Sequence, residues 1–282
     1  MKLIMYVMSY LKYWKHMMNT KDFAKKLRLS IVKMISKGKS SHVGSALSIV
    51  DIVSVLYNDI LNISPENFKD DFRDRFILSK GHAGAALYAA LAYKGFISIN
   101  DLDNHYKDGS KMSGHISHHI NGVELSTGSL GQGSGVSAGI ALSLKLRNNP
   151  SNVFCLLSDG ELNEGSTWES IMFAAHHKLN NLTFIIDFNG LQSIKSTEQT
   201  ISMTPLNKKF IAFNFDVMEC DGNNLDELKS CLKSQKTSKP KVLIAKTIKG
   251  KGVSFMENQI LWHYKTPSTE ELKLAIEEIN NA

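Results

Sequence analysis

The run Val153-Phe154-Cys155-Leu156-Leu157-Ser158-Asp159-Gly160-Glu161, followed about one helix later by Leu182-Thr183-Phe184-Ile185-Ile186-Asp187-Phe188-Asn189-Gly190, decides the fold class. Each half is an almost unbroken apolar stretch that ends abruptly in oxygen-bearing side chains and glycine. A strand buried on one face alternates apolar and polar residues, whereas a strand covered by helices on both faces is apolar throughout. Val153–Leu157 and Leu182–Asp187 therefore read as central strands of a parallel sheet. The polar residues at their carboxyl ends fall where open parallel sheets bind ligands.

Outward from this pair, β-rich runs at Arg75–Leu78, Phe215–Glu219 and Val242–Lys246 alternate with helical stretches at Ala83–Tyr93, Gly133–Leu146, Ser166–His177 and Leu225–Ser234. That alternation predicts an α/β fold, a doubly wound and mainly parallel sheet with helices on both faces. Upstream, Thr20 is a plausible N-cap for a helix carrying Phe23, Leu27, Ile31 and Ile35 and ending near Gly38. A loop from Ser40 to Gly44 and a helix through Ile49, Ile52, Val53 and Leu56 to Leu61 follow. Pro267–Ile279 reads as a closing amphipathic helix capped by Ser268 or Thr269, with Glu271 nearby. With no internal linker, residues 20–282 form one domain and 1–19 an N-terminal extension. The apolar start of that extension is interrupted by Lys12, Lys15 and His16 and lacks a small-residue cleavage site, so it suits neither a signal peptide nor a membrane span.

With 282 residues, 43% of them hydrophobic, the chain can bury a full core. Its formal charge of +6 is scattered rather than gathered into an aromatic-interleaved stripe, which argues against nucleic acid and suits phosphorylated ligands. Three cysteines without CxxC spacing argue against a disulfide framework or structural zinc and point to the cytoplasm.

Asp159 offers a carboxylate, Asn189 a side-chain carbonyl and Leu191 a backbone carbonyl turned across the Gly190 bend. Together they make a hard-cation site with room for a diphosphate. Asp-Gly and Asn-Gly are also common turn dipeptides, so spacing alone leaves a pair of ordinary strand-end turns as an equal reading. Gly131-Gln132-Gly133 lacks the third glycine of a dinucleotide fingerprint, having Val136 there, and Lys249–Ser254 lacks phosphate-loop spacing. His118 and His119 beside His115 find no cysteine or acidic complement for zinc.

An Asp-Gly followed about thirty residues later by Asn resembles the thiamine-diphosphate motif, which in most members begins Gly-Asp-Gly; Ser158 stands in place of that first glycine. Glu161–Gly165 and Asp187–Gln192 are similar to transketolases, most of all to their separately encoded N-terminal subunits. So are Arg73–Ala83 with its Gly81-His82 pair, Ser41-His42-Val43-Gly44, Gly114-His115, and Leu125–Gly133. The matches run in the family's order from His42 to His263.

The resemblance implies the thiamine-diphosphate-binding fold and a Mg2+ site of Asp159, Asn189 and Leu191, in which Ca2+ or Mn2+ could substitute. It implies cofactor contacts from His82, Gly128, Ser129, Leu130, Gly160, Glu161 and Asn189, with Gly160 opening the helix that follows. His42, His82, His115 and His263 match histidines that contact diphosphate, ketose hydroxyls or the reacting carbonyl oxygen. Glu164 matches a catalytic glutamate that lies near the cofactor and couples active sites. The implied reaction moves a two-carbon ketol unit from a ketose phosphate donor to an aldose. The pyrimidine-binding domain and its catalytic glutamate lie on a C-terminal partner subunit, in an α2β2 assembly. Two alternatives stand beside it: transfer to a specialised acceptor such as a nucleotide sugar or carrier protein, and a non-catalytic scaffold subunit.

Overall fold

The computed structural model describes residues 18–234 and 237–282. Residues 1–17, most of the expected extension, lie outside the described residues.

Helix α1 (Thr20–Gly38) begins one residue earlier in its capping than expected: Asn19, not Thr20, is the N-cap, with its Oδ1 accepting from Asp22 N at 2.8 Å. Thr20 is already helical, and its hydroxyl donates to Asp59 instead. The expected loop at 40–44 is shorter, because α2 (Val43–Ser48) starts directly after His42, whose φ is 74°. The expected continuous helix from Ile49 to Leu61 is broken into α3 (Val50–Val55) and a π turn, Leu56–Ile60. The break at Ile49 leaves Ser48 on Asp187 Oδ1 at 2.7 Å while Val50, Ile52 and Val53 stay buried.

Five strands, β1 (Arg75–Leu78), β2 (Val153–Ser158), β3 (Leu182–Phe188), β4 (Asp216–Asp221) and β5 (Lys241–Lys246), form one all-parallel sheet in the order β1-β2-β3-β5-β4. Side-chain alternation splits the apolar residues between two cores. Phe76, Leu78, Phe154, Leu156, Ile185 and Leu243 pack with α1 to α3, α4 (Gly84–Tyr93), α9 (Leu225–Leu232) and α10 (Thr269–Asn281). Ile77, Cys155, Leu157, Phe184, Ile186 and Ile244 pack with α5 (Gln132–Leu146), α6 (Gly165–His176) and α8 (Leu206–Ala212). A short α7 (Thr197–Ile201) lies in the crossover after β3. Each fully buried leucine or isoleucine contributes about 1.5–3 kcal/mol, which explains why the central strands tolerate no polar residue until their ends. Helix α10 starts on a capping box of Ser268 and Glu271, as the sequence predicts.

The chain leaves β3, passes beyond β5 to form β4, and returns. The strand order therefore reverses beside β3, and a crevice opens at the carboxyl ends of β2, β3 and β5. Among the described residues no helix is long and apolar enough to cross a membrane.

Candidate active site

A cavity of about 230 Å³ occupies that crevice, and four histidines from four separate segments line it. His42 lies between α1 and α2, His82 on the 3-10 turn Gly81–Ala83 after β1, His115 on the long loop before α5, and His263 on the turn Ile260–His263 after β5. The ring centroid of His42 is 5.2 Å from that of His82, 5.5 Å from His115 and 4.9 Å from His263. The His42 N–H donates to the His263 carbonyl at 2.9 Å, holding the first and last of these segments together.

Burial pushes every one of these imidazoles toward the neutral form. His42 falls to about 4, first by desolvation and then by His115, Lys249 and Lys80; His263 falls to about 3 by desolvation and then Lys249. His82 lies well below its ordinary value and His115 is lowered, both by desolvation first. Each therefore presents one N–H donor and one acceptor at neutral pH. Between about pH 4 and 6.5 the unfolded chain binds protons that the folded chain refuses at His42, so its contribution to stability rises with pH through that window and is lost on acidification. Chemical denaturation without added cofactor should accordingly show stability falling from pH 6.5 to pH 4; a flat or rising profile on acidification contradicts the neutral cluster.

The oxygen donors lie beside the histidines. Asp159 is 3% exposed, and its Oδ1 and Oδ2 accept from Gly160 N at 2.8 Å and Gly190 N at 2.6 Å. No cationic side chain is hydrogen-bonded to it, and desolvation, followed by the nearby Asp187, pushes its carboxyl up to about 7. Asn189 Oδ1 accepts from Leu191 N at 3.0 Å, while its Nδ2 donates to Asp187 and to Ser48. The Leu191 and Gln192 carbonyls accept from Lys249 Nζ at 3.3 and 3.0 Å. A buried carboxylate without a bonded counter-charge, next to an amide and a backbone carbonyl, fits a hard divalent cation. Among the described residues no group of three or more His, Cys, Asp or Glu is arranged for a softer metal.

Not every expected residue joins this wall. Gly128, Leu130, Gly160 and Asn189 line the cavity. Gly160 opens a 3-10 turn, Gly160–Asn163, rather than α6 itself, because the N–H it was expected to offer is taken by Asp159. Glu161 is fully buried outside the lining, accepting from Gly131 N at 2.8 Å and from Ser79 Oγ, so it braces the Gly128–Gly133 loop from behind. Ser129 and Glu164 are exposed and outside the cavity; Glu164 heads α6 without a side-chain capping bond. His118 and His119 stack on one another, centroids 4.1 Å apart, at the surface.

Three buried residues at the site escape a reading of the sequence. Lys80 and Asp187, 1% and 0% exposed, form an ion pair across β2, and Lys249, 1% exposed, reaches in from the turn after β5. Lys80 and Asp187 each stand in or beside an apolar strand, where a charge has to be paired, and that is the signal that could have found them. Lys249 carries no such signal, since it lies in a polar, glycine-rich turn where a lysine is ordinarily solvated.

Comparison with known proteins gives this architecture its family. The profile described as "Transketolase, thiamine diphosphate binding domain" matches residues 19–278. The chain belongs to the transketolase family. Transketolases similar to it include the first of the two kinds of subunit named for the apulose-4-phosphate transketolase of Phocaeicola vulgatus, 38% identical over 259 residues that cover 91% of this chain and 92% of that protein. The 6-deoxy-6-sulfo-D-fructose transketolase subunit of a Clostridium strain is 37% identical over 256 residues, covering 90% and 93%. The crystal structure of transketolase from Campylobacter jejuni superposes with a TM-score of 0.87 at 32% identity, covering 93% of this chain but 43% of that one.

Proposed function

We propose that this chain is the cofactor-binding subunit of a two-chain transketolase. It binds Mg2+ and thiamine diphosphate and, with a partner subunit carrying the pyrimidine-binding domain, transfers a two-carbon ketol unit from a ketose or ketose phosphate to an aldose. The observation that carries this reading is the convergence of His42, His82, His115 and His263 on a cavity that also contains Asp159, Asn189 and Leu191.

Asp159, Asn189 and Leu191 would hold the cation, one formal negative charge and two neutral oxygens, leaving the remaining coordination positions to diphosphate and water. Thiamine diphosphate, when bound, supplies the electron sink that makes carbon–carbon cleavage beside a carbonyl feasible. The protein supplies orientation and hydrogen bonds. Lys249 Nζ lies 3.1 Å from His263 Nδ1, and because an ammonium only donates, that nitrogen accepts and Nε2–H remains for a sugar oxygen. Neutral histidines suit this work, since they can donate to a developing alkoxide and return the proton without first being discharged.

Ser129 and Glu164, exposed here, are assigned to surfaces that other chains of an α2β2 assembly would cover. The two subunit-type relatives are named for unusual ketoses, which favours a specialised sugar as the substrate over one of central metabolism. Retention of the cation donors and all four histidines speaks against a non-catalytic scaffold. The free thiols Cys155, Cys220 and Cys231 support a cytoplasmic location.

Calorimetric titration of the purified chain with thiamine diphosphate and Mg2+, with and without the partner subunit, followed by a donor-cleavage assay on the mixture, tests this. Tight binding and turnover are expected with the partner. Turnover by the chain alone contradicts the two-chain reading, and absence of binding in both samples contradicts the cofactor assignment.

A further inference from the structure

Asp187 has no part in the chemistry assigned so far, yet both its oxygens are fully engaged. Its Oδ1 accepts from Ser48 Oγ at 2.7 Å and Thr247 Oγ1 at 2.5 Å. Its Oδ2 accepts from Lys80 Nζ and from Asn189 Nδ2 at 3.0 Å. A carboxylate paired with an ammonium accepts only, so the NH2 group of Asn189 has to face it. Asn189 Oδ1 is thereby left on the other side, toward Leu191 N. The second partner of the amide, Ser48 Oγ at 3.1 Å, is a hydroxyl that tolerates either orientation. The choice therefore rests on Asp187.

Lys80 adds a second link, because it immediately precedes the turn that bears His82. A buried ion pair is replaceable by neutral groups with little loss of stability, so its retention here calls for another reason. We propose that the Lys80–Asp187 pair is a positioning device, which selects the orientation of the Asn189 amide that presents Oδ1 to the cation and ties the His82 turn to the same strand end. This rests on the Mg2+ and thiamine diphosphate reading above.

Replacing both partners, Lys80→Met with Asp187→Asn, separates orientation from stability. The Ser48 and Thr247 hydroxyls would hold the oxygen of the new amide, so its NH2 would point at Asn189, which must then turn its own oxygen inward and its NH2 toward the cation. The double variant is expected to melt near the wild type, while the Mg2+ concentration that half-saturates thiamine diphosphate binding rises about 10- to 100-fold. Adding Asn189→Asp restores an acceptor on both sides and should recover most of that loss, a rescue that a merely structural role does not predict.

The measurement is calorimetry on the full chain, with its partner subunit where binding requires it. Unchanged Mg2+ dependence in the double variant, or no recovery in the triple, overturns the positioning role. A wild type that takes up thiamine diphosphate without any dependence on Mg2+ overturns both this role and the cation site it serves.

Discussion

Asp159→Ala should abolish Mg2+-dependent uptake of thiamine diphosphate, weakening it by more than about 100-fold, since loss of a second-layer partner alone typically costs 10- to 100-fold. Asp159 supplies the only formal charge among the three proposed donors, and Asn189 and Leu191 offer neutral oxygens that hold a divalent cation poorly by themselves. The loss should not come from unfolding. The carboxyl is pushed up to about 7 by burial and by Asp187, so its ionised form is held at a cost that the substitution removes. That relief offsets the hydrogen bonds lost from Gly160 N and Gly190 N, each worth about 1 kcal/mol. Calorimetry and thermal melting on the same sample check both halves. Tight, Mg2+-dependent binding by the variant would sink the site assignment.

Lys80→Met alone should destabilise the chain by about 3–5 kcal/mol, the usual consequence of leaving a buried carboxylate without its counter-ion. Asp187 is 0% exposed and would keep only Ser48, Thr247 and Asn189 as partners. Those hydrogen bonds stabilise a charge but do not neutralise it. Denaturant unfolding measures the loss directly. A loss below about 1 kcal/mol, the range of an exposed pair, would mean that Asp187 reaches water or another cation. The contrast with the double replacement is informative, because removing both charges together is expected to leave stability near that of the wild type.

The strand ends are readable because their physics is local. An apolar run covered on both faces must stop where its carboxyl end meets the ligand edge, and Ser158, Asp159, Asp187 and Asn189 mark those stops. Helix α10 is equally legible, since the Ser268 and Glu271 capping box satisfies backbone donors within one turn. The upstream helices are less so. Apolar spacing alone does not mark the break at Ile49, and in the folded chain Ser48 beside it meets Asp187 across 139 residues of sequence. Asn19 and Thr20 compete for the same cap, and Asp59 decides between them from the π turn.

Short-range pattern and motif were enough to specify the parallel α/β class, the ligand edge, the proposed cation donors and the four histidines. Folding was needed to show which candidates share one cavity, that Glu161 braces a loop behind the wall while Ser129 and Glu164 face outward, and that Lys80, Asp187 and Lys249 belong to the site. Hydrophobic burial is encoded by local periodicity, which a linear reading recovers. The pairing of a buried charge and the orientation of an amide depend instead on partners that meet only after the sheet and its crossovers have formed.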